Sequence, residues 1–353
     1  VSLVPTENTD FWKNIVANAT DKKGNKRPFI SLAPMEAVTD TVFRRVVTQA
    51  CPPDVFYTEF THARSVTHPQ AKFSVQGRLY IDPSEKQIPV AQLWGDKGED
   101  FAKAVQEVTK LGYQAIDLNM GCPDGTVVKN GGGSDLIRHF DKAKEIIASA
   151  KTSGLPISVK TRLGFSDIQE FEEWIPFLLK QDVRVLTVHF RTRQEMSKVP
   201  AHYELIDEII KMRDKIAPQT LLQINGDINN AVAGLELAKQ HPGVDGIMIG
   251  RGIFANPFCF EITPQQHTLA ETFNLLRTQL DLFDDFYARF ESRKFVALRR
   301  FFKIYVRGLR NAHQLREQLM SAKSTDEVRA LLDDLEARQG TDVLDPRFQT
   351  LNN

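Results

Sequence analysis

The sequence has few cysteines, no excess of either charge and no long apolar run, and each absence excludes a class of protein. The three cysteines, Cys51, Cys122 and Cys259, lack the spacing of a metal site, so we expect no bound metal and a reducing compartment, the cytoplasm. No apolar run approaches the about 20 residues that span a membrane. The first residues lack the basic and apolar regions of a secretory signal. Because 45 basic residues balance 45 acidic ones, only a local surface can attract nucleic acid electrostatically.

What is present is the composition of a soluble globular protein. Hydrophobic residues make up 42% of the 353 residues and charged residues 25%, which supplies a core and excludes wholesale disorder. The length suits two average domains, or one barrel of about 250 residues with an appendage. Neither the charge balance nor the composition distinguishes these two domain organisations, but the periodicity of the sequence does.

Eight β-rich runs alternate with amphipathic stretches over the first 260 residues. The runs are residues 29–35, 55–60, 89–95, 115–121, 157–164, 185–191, 221–226 and 246–252. Alternating strands and helices predict a parallel sheet, and eight units of similar length predict a (β/α)8 TIM barrel. A doubly wound open sheet is the alternative, but its G-x-G-x-x-G turn is missing. The connection over 61–88 is long for a loop and predicts a helix turn and a hairpin.

Beyond Pro264 the β-rich runs stop and helical periodicity takes over. The stretches 268–290, 294–310 and 325–338 carry apolar residues three and four positions apart, the spacing of amphipathic helices. We therefore expect a barrel domain over residues 1–262, a smaller all-α helical-bundle domain over 263–340 and a C-terminal tail over 341–353.

Polar residues occupy the C-terminal ends of five neighbouring strands, where hydrophobic residues would normally fill a barrel. Residues two apart on a strand point the same way, and barrel chemistry gathers at these strand ends. Each side chain alone fits a solvated rim charge, but together they predict one convergent site. The set comprises Gln92, Asp117, Asn119, Lys160, Arg162, His189, Arg191 and Asn225.

Glycines follow the seventh and eighth strands, in the segments NGD (225–227) and GRG (250–252). Glycine lets backbone N–H groups approach a ligand, and barrel phosphate sites commonly lie at these two loops. Two tight turns would also explain the glycines in these two segments. With Lys160 nearby to add a positive charge, we favour a phosphate-bearing cofactor.

Cys122 stands directly after the fourth strand, in the segment LNMGCPDGTVVKNGGGSDLI (118–137). A lone cysteine is ordinarily an inert buried residue. At the catalytic end of a barrel, however, a thiol can donate a proton. Cys51 and Cys259 have no such setting, and we interpret them as structural.

A local basic segment lies in the helical region. Residues 293–310 contain seven Lys or Arg residues and no Asp or Glu, against a neutral chain. Arg299, Lys303 and Arg307 recur at helical spacing and, with Arg310, form a stripe distinct from the apolar one. A solvated face is the alternative, but the local excess favours a surface for a phosphate backbone.

The sequence resembles a known family, the bacterial tRNA-dihydrouridine synthases. These are flavin enzymes that reduce selected uridines in tRNA. The resemblance covers nearly the whole chain. It rests on an ordered series of segments: APMEAVTD (33–40), the 118–137 segment above, SVKTRLG (158–164), VHFRTR (188–193), INGDI (224–228) and IMIGRG (247–252). A helical C-terminal domain follows, as it does in the family.

The resemblance implies an enzyme with FMN at the barrel mouth, NADPH as reductant and tRNA as substrate. It implies Cys122 as the general acid that protonates uracil C5. Residues implied for the cofactor are Pro34 and Met35 against the flavin ring, Gln92 at its pyrimidine edge, Lys160 at its N1–O2 side, and His189, Asn225, Gly226, Asp227, Gly250 and Arg251 around the ribityl phosphate. Residues implied for the substrate are Asn119, Arg162 and Arg191 near the uracil, and Arg299, Lys303 and Arg307 on the helical domain.

Two other functions compete with this interpretation. The first is an FMN-dependent oxidoreductase acting on a free pyrimidine, similar to dihydroorotate dehydrogenase, but a free pyrimidine has no phosphate backbone for a basic helix. The second is an RNA-binding protein that keeps the barrel as a scaffold, which the presence of Lys160, Cys122 and the glycine loops argues against. We further expect a monomer.

Overall fold

The computed structural model of the chain describes residues 11–290, 294–307 and 312–337. Arg310 of the predicted basic stripe and the predicted tail 341–353 lie outside these residues. The chain forms two compact units. One holds the residues up to Thr41 together with Pro53–Gly250, and the other holds Val42–Pro52 together with the chain from Arg251 onward.

The first unit is built on eight parallel strands in the order β1-β8-β7-β6-β5-β4-β3-β2. This confirms the predicted TIM barrel and its eight strand positions, with a difference at the second strand. The strands are β1 Phe29–Leu32, β2 Thr61–His62, β3 Ala91–Trp94, β4 Ile116–Met120, β5 Ile157–Arg162, β6 Val185–His189, β7 Leu221–Asn225 and β8 Gly246–Ile249.

The difference lies between β1 and β3. The predicted run 55–60 makes only isolated parallel bridges, from Val55 to Ser31 and from Tyr57 to Val90, and regular pairing begins later, at β2. Leu32 N donates to Val55 O over 3.1 Å. This irregular segment therefore links β1 to β3 where a full strand was expected.

Helices alternate with the strands along the chain. The helices of the first part of the chain are α1 Phe11–Asn18, α2 Thr41–Ala50, α3 Ala63–Thr67, α4 Lys72–Arg78, α5 Gly98–Lys110, α6 Gly125–Lys129, α7 Phe140–Lys151, α8 Phe171–Leu179, α9 Ile206–Ile216 and α10 Ala231–Gln240. The prediction of a hairpin between residues 61 and 88 is wrong. Residues 63–88, all of which the structure describes, contain α3, α4 and turns, because short helices satisfy the backbone hydrogen bonds of this connection without a strand partner.

The barrel interior is layered. Its N-terminal end is apolar, and α1 covers it with Trp12, which is fully buried and lies 5.6 Å from the Phe29 ring, centroid to centroid. The next layer is polar and buried: Ser31, Tyr57, Gln92, Asp117, Ser158, Thr187 and Gln223. Gln223 accepts from Thr187 Oγ1 and donates to Ser31 Oγ, both over 2.8 Å. The polar layer supports the C-terminal mouth, where the predicted site lies.

The described part of the second unit is helical, as predicted. After a 3-10 turn at Arg251–Phe254, its helices are α11 Leu269–Phe290, α12 Arg299–Tyr305, α13 Ala312–Ser321 and α14 Thr325–Ala337. Helix α2 joins them in this unit, and its Phe43 lies 4.8 Å from the Phe301 ring. The single helix predicted over 294–310 is wrong in its extent. A 3-10 turn occupies Phe295–Leu298, and α12 ends at Tyr305 because Val306 leaves the helical region (φ −114°, ψ 2°).

Among the described residues, no helix combines the length and apolar character that crossing a membrane requires.

Gly246 tests the packing of the barrel interior. A Cβ at this position would lie 2.4 Å from Cζ of Phe29, so Gly246→Ala should destabilise the protein by about 1–3 kcal/mol through overpacking. Urea unfolding measures this loss, and Phe29→Leu in the same chain should recover part of it. Gly125→Ala is the matched control, because nothing lies within 4 Å of its added Cβ. Equal stability of Gly246→Ala and the unaltered protein would contradict the packing.

Candidate active site

The strand register brings the predicted polar residues into two adjacent rows at the barrel mouth. Asn119 on β4 lies opposite Lys160 on β5. Arg162, two residues further along β5, lies opposite His189 on β6, and His189 lies opposite Asn225 on β7. Since these strands are parallel neighbours, residues scattered over more than 100 positions of sequence form a continuous polar surface.

Cys122 lies on the loop that follows β4, and this loop is held at both sides. Its N–H donates to Asn119 Oδ1 over 2.9 Å, and its carbonyl accepts from Ser134 N (3.0 Å) and Ser134 Oγ (2.9 Å). Gly133 has φ +57°, and a Cβ there would lie 2.8 Å from the Cys122 carbonyl oxygen. Glycine is therefore required where the loop folds back on itself.

The Cys122 thiol is partly exposed and has a raised pKa. Burial is the main cause of the rise in the Cys122 pKa, and a backbone hydrogen bond at Asp124 opposes it. The charge of Asp124 adds to the rise, while Lys160 and Arg162 act in the opposite direction. A raised pKa keeps the thiol protonated at neutral pH. The group is thus suited to donate a proton and unsuited to act as a thiolate nucleophile.

Lys160 points into the mouth and donates to Asn225 Oδ1 over 3.1 Å. Burial, followed by the charge of Arg162, lowers the pKa of Lys160 to about 8, while Asp117 and Cys122 oppose the shift. Part of the side chain still reaches solvent, at the side where a ligand would lie. Asn225 is itself fixed, because its Nδ2 donates to Met248 O over 2.9 Å. A lysine held this way presents a positive charge to an anionic ligand.

Arg162 is buried and holds the loops around the mouth. Its Nε donates to Gly121 O over 2.8 Å, and its Nη1 donates to Thr192 O (3.0 Å) and Met196 O (3.1 Å). One guanidinium thus joins the loop that carries Cys122 to the loop that follows β6. Five N–H donors in a rigid planar group suit arginine to this bridging role.

Arg191 holds the other end of the loop after β6. Its Nε donates to Val199 O over 2.6 Å, and its Nη2 forms a salt bridge with Asp227. Asp227 also accepts from Ala201 N over 3.1 Å. Gly226, just before it, has φ +118°, and a Cβ there would lie 3.1 Å from Cδ2 of His189. The NGD segment therefore supports the loop as well as bordering the mouth.

The remaining predicted cofactor residues lie directly after their strands. Pro34 and Met35 follow β1, where Ala33 N donates to Ile249 O over 2.8 Å and Met35 O accepts from Val38 N over 3.1 Å. Gly250 follows β8 in the same unit. Arg251 begins the second compact unit.

Sequence reasoning did not select Trp94, which the structure places beside the predicted residues. It lies at the end of β3, two residues after Gln92, and a Cβ on Gly132 would lie 3.0 Å from its ring. His62 at the end of β2 packs edge-on against it, 4.4 Å between centroids. The two-residue rule that selected the polar pairs would have found Trp94 had it been applied to aromatic side chains.

In the second unit, the three predicted RNA-contacting residues differ in their surroundings. Lys303 and Arg307 are exposed, and Lys303 Nζ lies 4.8 Å from the centroid of the Phe254 ring. Arg299 is half-buried and donates to Ala322 O over 3.1 Å. Lys303 and Arg307 are available to a large ligand, whereas Arg299 supports the helical packing. Within the described ranges, no cluster of three or more potential metal-binding side chains was found.

The lowered pKa of Lys160 predicts a pH dependence of stability. Between about pH 8 and the ordinary lysine value of 10.5, the unfolded chain holds a proton that the folded chain has released. The free energy of unfolding should therefore rise with pH in this window, relative to Lys160→Met. Urea unfolding of both proteins from pH 7 to 10 measures the difference. A difference between the two proteins that stays constant over this pH range would argue against the lowered pKa of Lys160.

Comparison with known proteins agrees with the resemblance seen in the sequence. Residues 31–340 match the family described as dihydrouridine synthase (Dus). A protein of Bacillus subtilis (strain 168) named "Probable tRNA-dihydrouridine synthase 2" is 54% identical over 333 residues, covering 94% of this chain and 98% of that protein. A "Probable tRNA-dihydrouridine synthase" of Staphylococcus aureus (strain MRSA252) is 54% identical over 317 residues, covering 90% and 96%. The chain belongs to the dihydrouridine synthase family.

Proposed function

We propose that this protein reduces the C5=C6 bond of specific uridines in tRNA to give 5,6-dihydrouridine, with FMN as its flavin and NADPH as its reductant. One observation supports the proposal most: a thiol with a raised pKa lies on a fixed loop beside Lys160, at the mouth of a barrel whose family is the dihydrouridine synthases. The names of the two relatives support tRNA as the substrate. The choice of NADPH rests on the family resemblance.

The residues at the mouth fit FMN. Gly226 and Gly250 leave the backbone after β7 and β8 without side chains, where a barrel phosphate site would form. Lys160 supplies a positive charge for the N1–O2 side of the flavin ring. Bound and reduced FMN supplies the hydride that reaches C6 of the uracil. Mass spectrometry of the flavin released from purified protein distinguishes FMN from FAD.

Cys122 would deliver the proton to C5, on the face of the uracil opposite to the hydride. Its carbonyl and its N–H are both hydrogen-bonded within the protein, so the side chain is carried on a fixed backbone. A general acid held in this way contributes about 10²- to 10⁴-fold to the rate. Both faces of the uracil are accessible only after the base leaves its stack, at a cost of a few kcal/mol that protein–RNA contacts must offset.

Arg162 and Arg191 would serve the RNA substrate through the loop that follows β6. Their guanidinium groups hold the carbonyls of Thr192, Met196 and Val199. This loop lies directly after a strand that ends at the mouth, so its shape limits which base can enter. We propose that Asn119 borders the uracil, since its side chain accepts from the backbone N–H of Cys122.

Cys122→Ala separates a catalytic thiol from a structural one. The variant should retain FMN and still be reduced by NADPH, but its reoxidation by unmodified tRNA should fall by about 10²- to 10⁴-fold. Single-turnover absorbance of pre-reduced protein mixed with tRNA reads this step directly. Cys122→Ser should recover little, because an alcohol is a much weaker acid than a thiol.

Two controls accompany this measurement. Oxidation by molecular oxygen needs no proton from Cys122 and should persist in the variant, which tests for intact folding. Cys51→Ala should behave like the unaltered protein. Near-normal reoxidation of Cys122→Ala would remove the thiol from the mechanism. Reoxidation by a free pyrimidine in preference to tRNA would favour the dihydroorotate-dehydrogenase-like alternative.

Lys303 and Arg307 test the helical unit as an RNA-binding surface. Reversing both to Glu should weaken tRNA binding and flatten its salt dependence, because each phosphate contact contributes about 0.9 to the log–log slope on a duplex. NADPH oxidation without RNA should remain unchanged. Arg299 is left intact because it supports the fold.

Lys211→Glu with Lys239→Glu makes the same charge change on exposed positions of α9 and α10 and provides the matched control. Filter binding or fluorescence anisotropy at several salt concentrations measures all three proteins. If the Lys303/Arg307 reversal and the control lose affinity equally, the basic stripe is only a solvated face.

A further inference from the structure

A chain of hydrogen-bonded amides runs from the polar layer of the barrel to the loop of Cys122. Gln92 Nε2 donates to Asp117 Oδ2 over 2.6 Å. Asn119 Nδ2 donates to Gln92 Oε1 over 3.1 Å. Asn119 Oδ1 then accepts from the backbone N–H groups of Cys122 (2.9 Å) and Gly121 (3.2 Å). Gln92, Asp117 and Asn119 are all buried.

Both ends of this chain require the same direction. The backbone N–H groups of Gly121 and Cys122 can only donate, so Asn119 must turn its oxygen toward them and its NH2 toward Gln92. An ionised carboxylate can only accept, so Asp117 requires the NH2 of Gln92. Ser158 Oγ donates to the other oxygen of Asp117 over 2.6 Å, which leaves the Oδ2 atom to Gln92. The two amides are therefore fixed by their neighbours at both ends.

We propose that Asp117 is a positioning residue that sets the direction of this amide relay and thereby holds the backbone of Cys122. The proposal rests on the proposed function only in giving Cys122 its catalytic role. If the relay were reversed, Asn119 would present its NH2 to two backbone N–H groups, and the loop would lose its anchor. The same direction fixes which atoms of Gln92 face a bound ligand.

Asn119→Asp breaks the relay without changing its shape. A carboxylate at 119 still accepts from Cys122 N, but its second oxygen faces Gln92 Oε1, and turning the Gln92 amide only moves the conflict to Asp117. A buried unsatisfied pair of this kind should lower the unfolding midpoint by about 5 °C. It should also raise the alkylation rate of Cys122 by iodoacetamide about tenfold, through easier loop opening.

The double variant Asp117→Asn/Asn119→Asp should restore the relay in the opposite direction. Asn at 117 donates to Gln92 Oε1, Gln92 Nε2 donates to Asp at 119, and Asp at 119 accepts from Cys122 N. Most of the lost midpoint and the slow alkylation should return. Both variants carry the same carboxylate beside Cys122, so its effect on the thiol cancels in their comparison.

Gln92→Leu separates the relay from simple charge repulsion between two carboxylates. In a chain that already carries Gln92→Leu, Asp117→Asn should no longer rescue Asn119→Asp, because the connecting amide is gone. Rescue of equal size with and without the Gln92→Leu change would overturn the relay, as would a double variant no better than Asn119→Asp. Peptide mapping distinguishes Cys122 from Cys51 and Cys259. Unfolding and alkylation need neither flavin nor RNA, so these measurements test the relay independently of the proposed reaction. The proposed reaction can be disproved while the relay is confirmed, and the relay can be disproved while the reaction is confirmed.

Discussion

The buried polar layer of the barrel must satisfy its own hydrogen bonds, and the arrangement of the mouth depends on this constraint. Parallel strands fix which residues face inward, so Asp117, Ser158 and Gln92 have no solvent partner. Burial raises the pKa of Asp117 to about 6, and the hydrogen bonds from Ser158 and Gln92 oppose the rise. A layer of Val and Leu would need no hydrogen-bond partners, whereas each polar group in this layer needs one. The residues at the barrel mouth, above this layer, are therefore held in a defined arrangement.

Two arginines at the barrel mouth stabilise its loops. Arg162 and Arg191 are both buried, and the hydrogen bonds described above run largely to backbone carbonyls. Such groups stabilise loops that have no regular secondary structure. Under the proposed function, exposed residues such as Lys303 and Arg307 would supply the charge that these two buried arginines do not offer to an RNA substrate.

Periodicity and strand-end chemistry predicted much of this structure. All strand positions but the second, the helical C-terminal region and the convergence of Asn119, Lys160 and Asn225 follow from the periodicity of the sequence, because parallel strands align their C-terminal ends. Three features could not be predicted this way. The irregular 55–60 segment and the role of Arg162 in holding loops depend on hydrogen bonds between residues far apart in the sequence. The end of α12 at Tyr305 depends on the backbone conformation of Val306. An arginine near a strand end has the same sequence signature whether its guanidinium group binds neighbouring loops or a ligand. The role of Arg162 can therefore be assigned only from its hydrogen-bond partners.

Helix α2 gives the chain an order of assembly. It is made early, between β1 and β2, yet it belongs to the unit whose other helices come after Arg251. Its apolar residues Val42, Phe43, Val46 and Val47 are all buried in the finished protein. Phe301, the partner of Phe43, is synthesised only after the whole barrel, which ends at Gly250. A chain cut after Gly250 would leave Phe43 without this partner, so the second unit cannot be separated as one continuous piece of the chain.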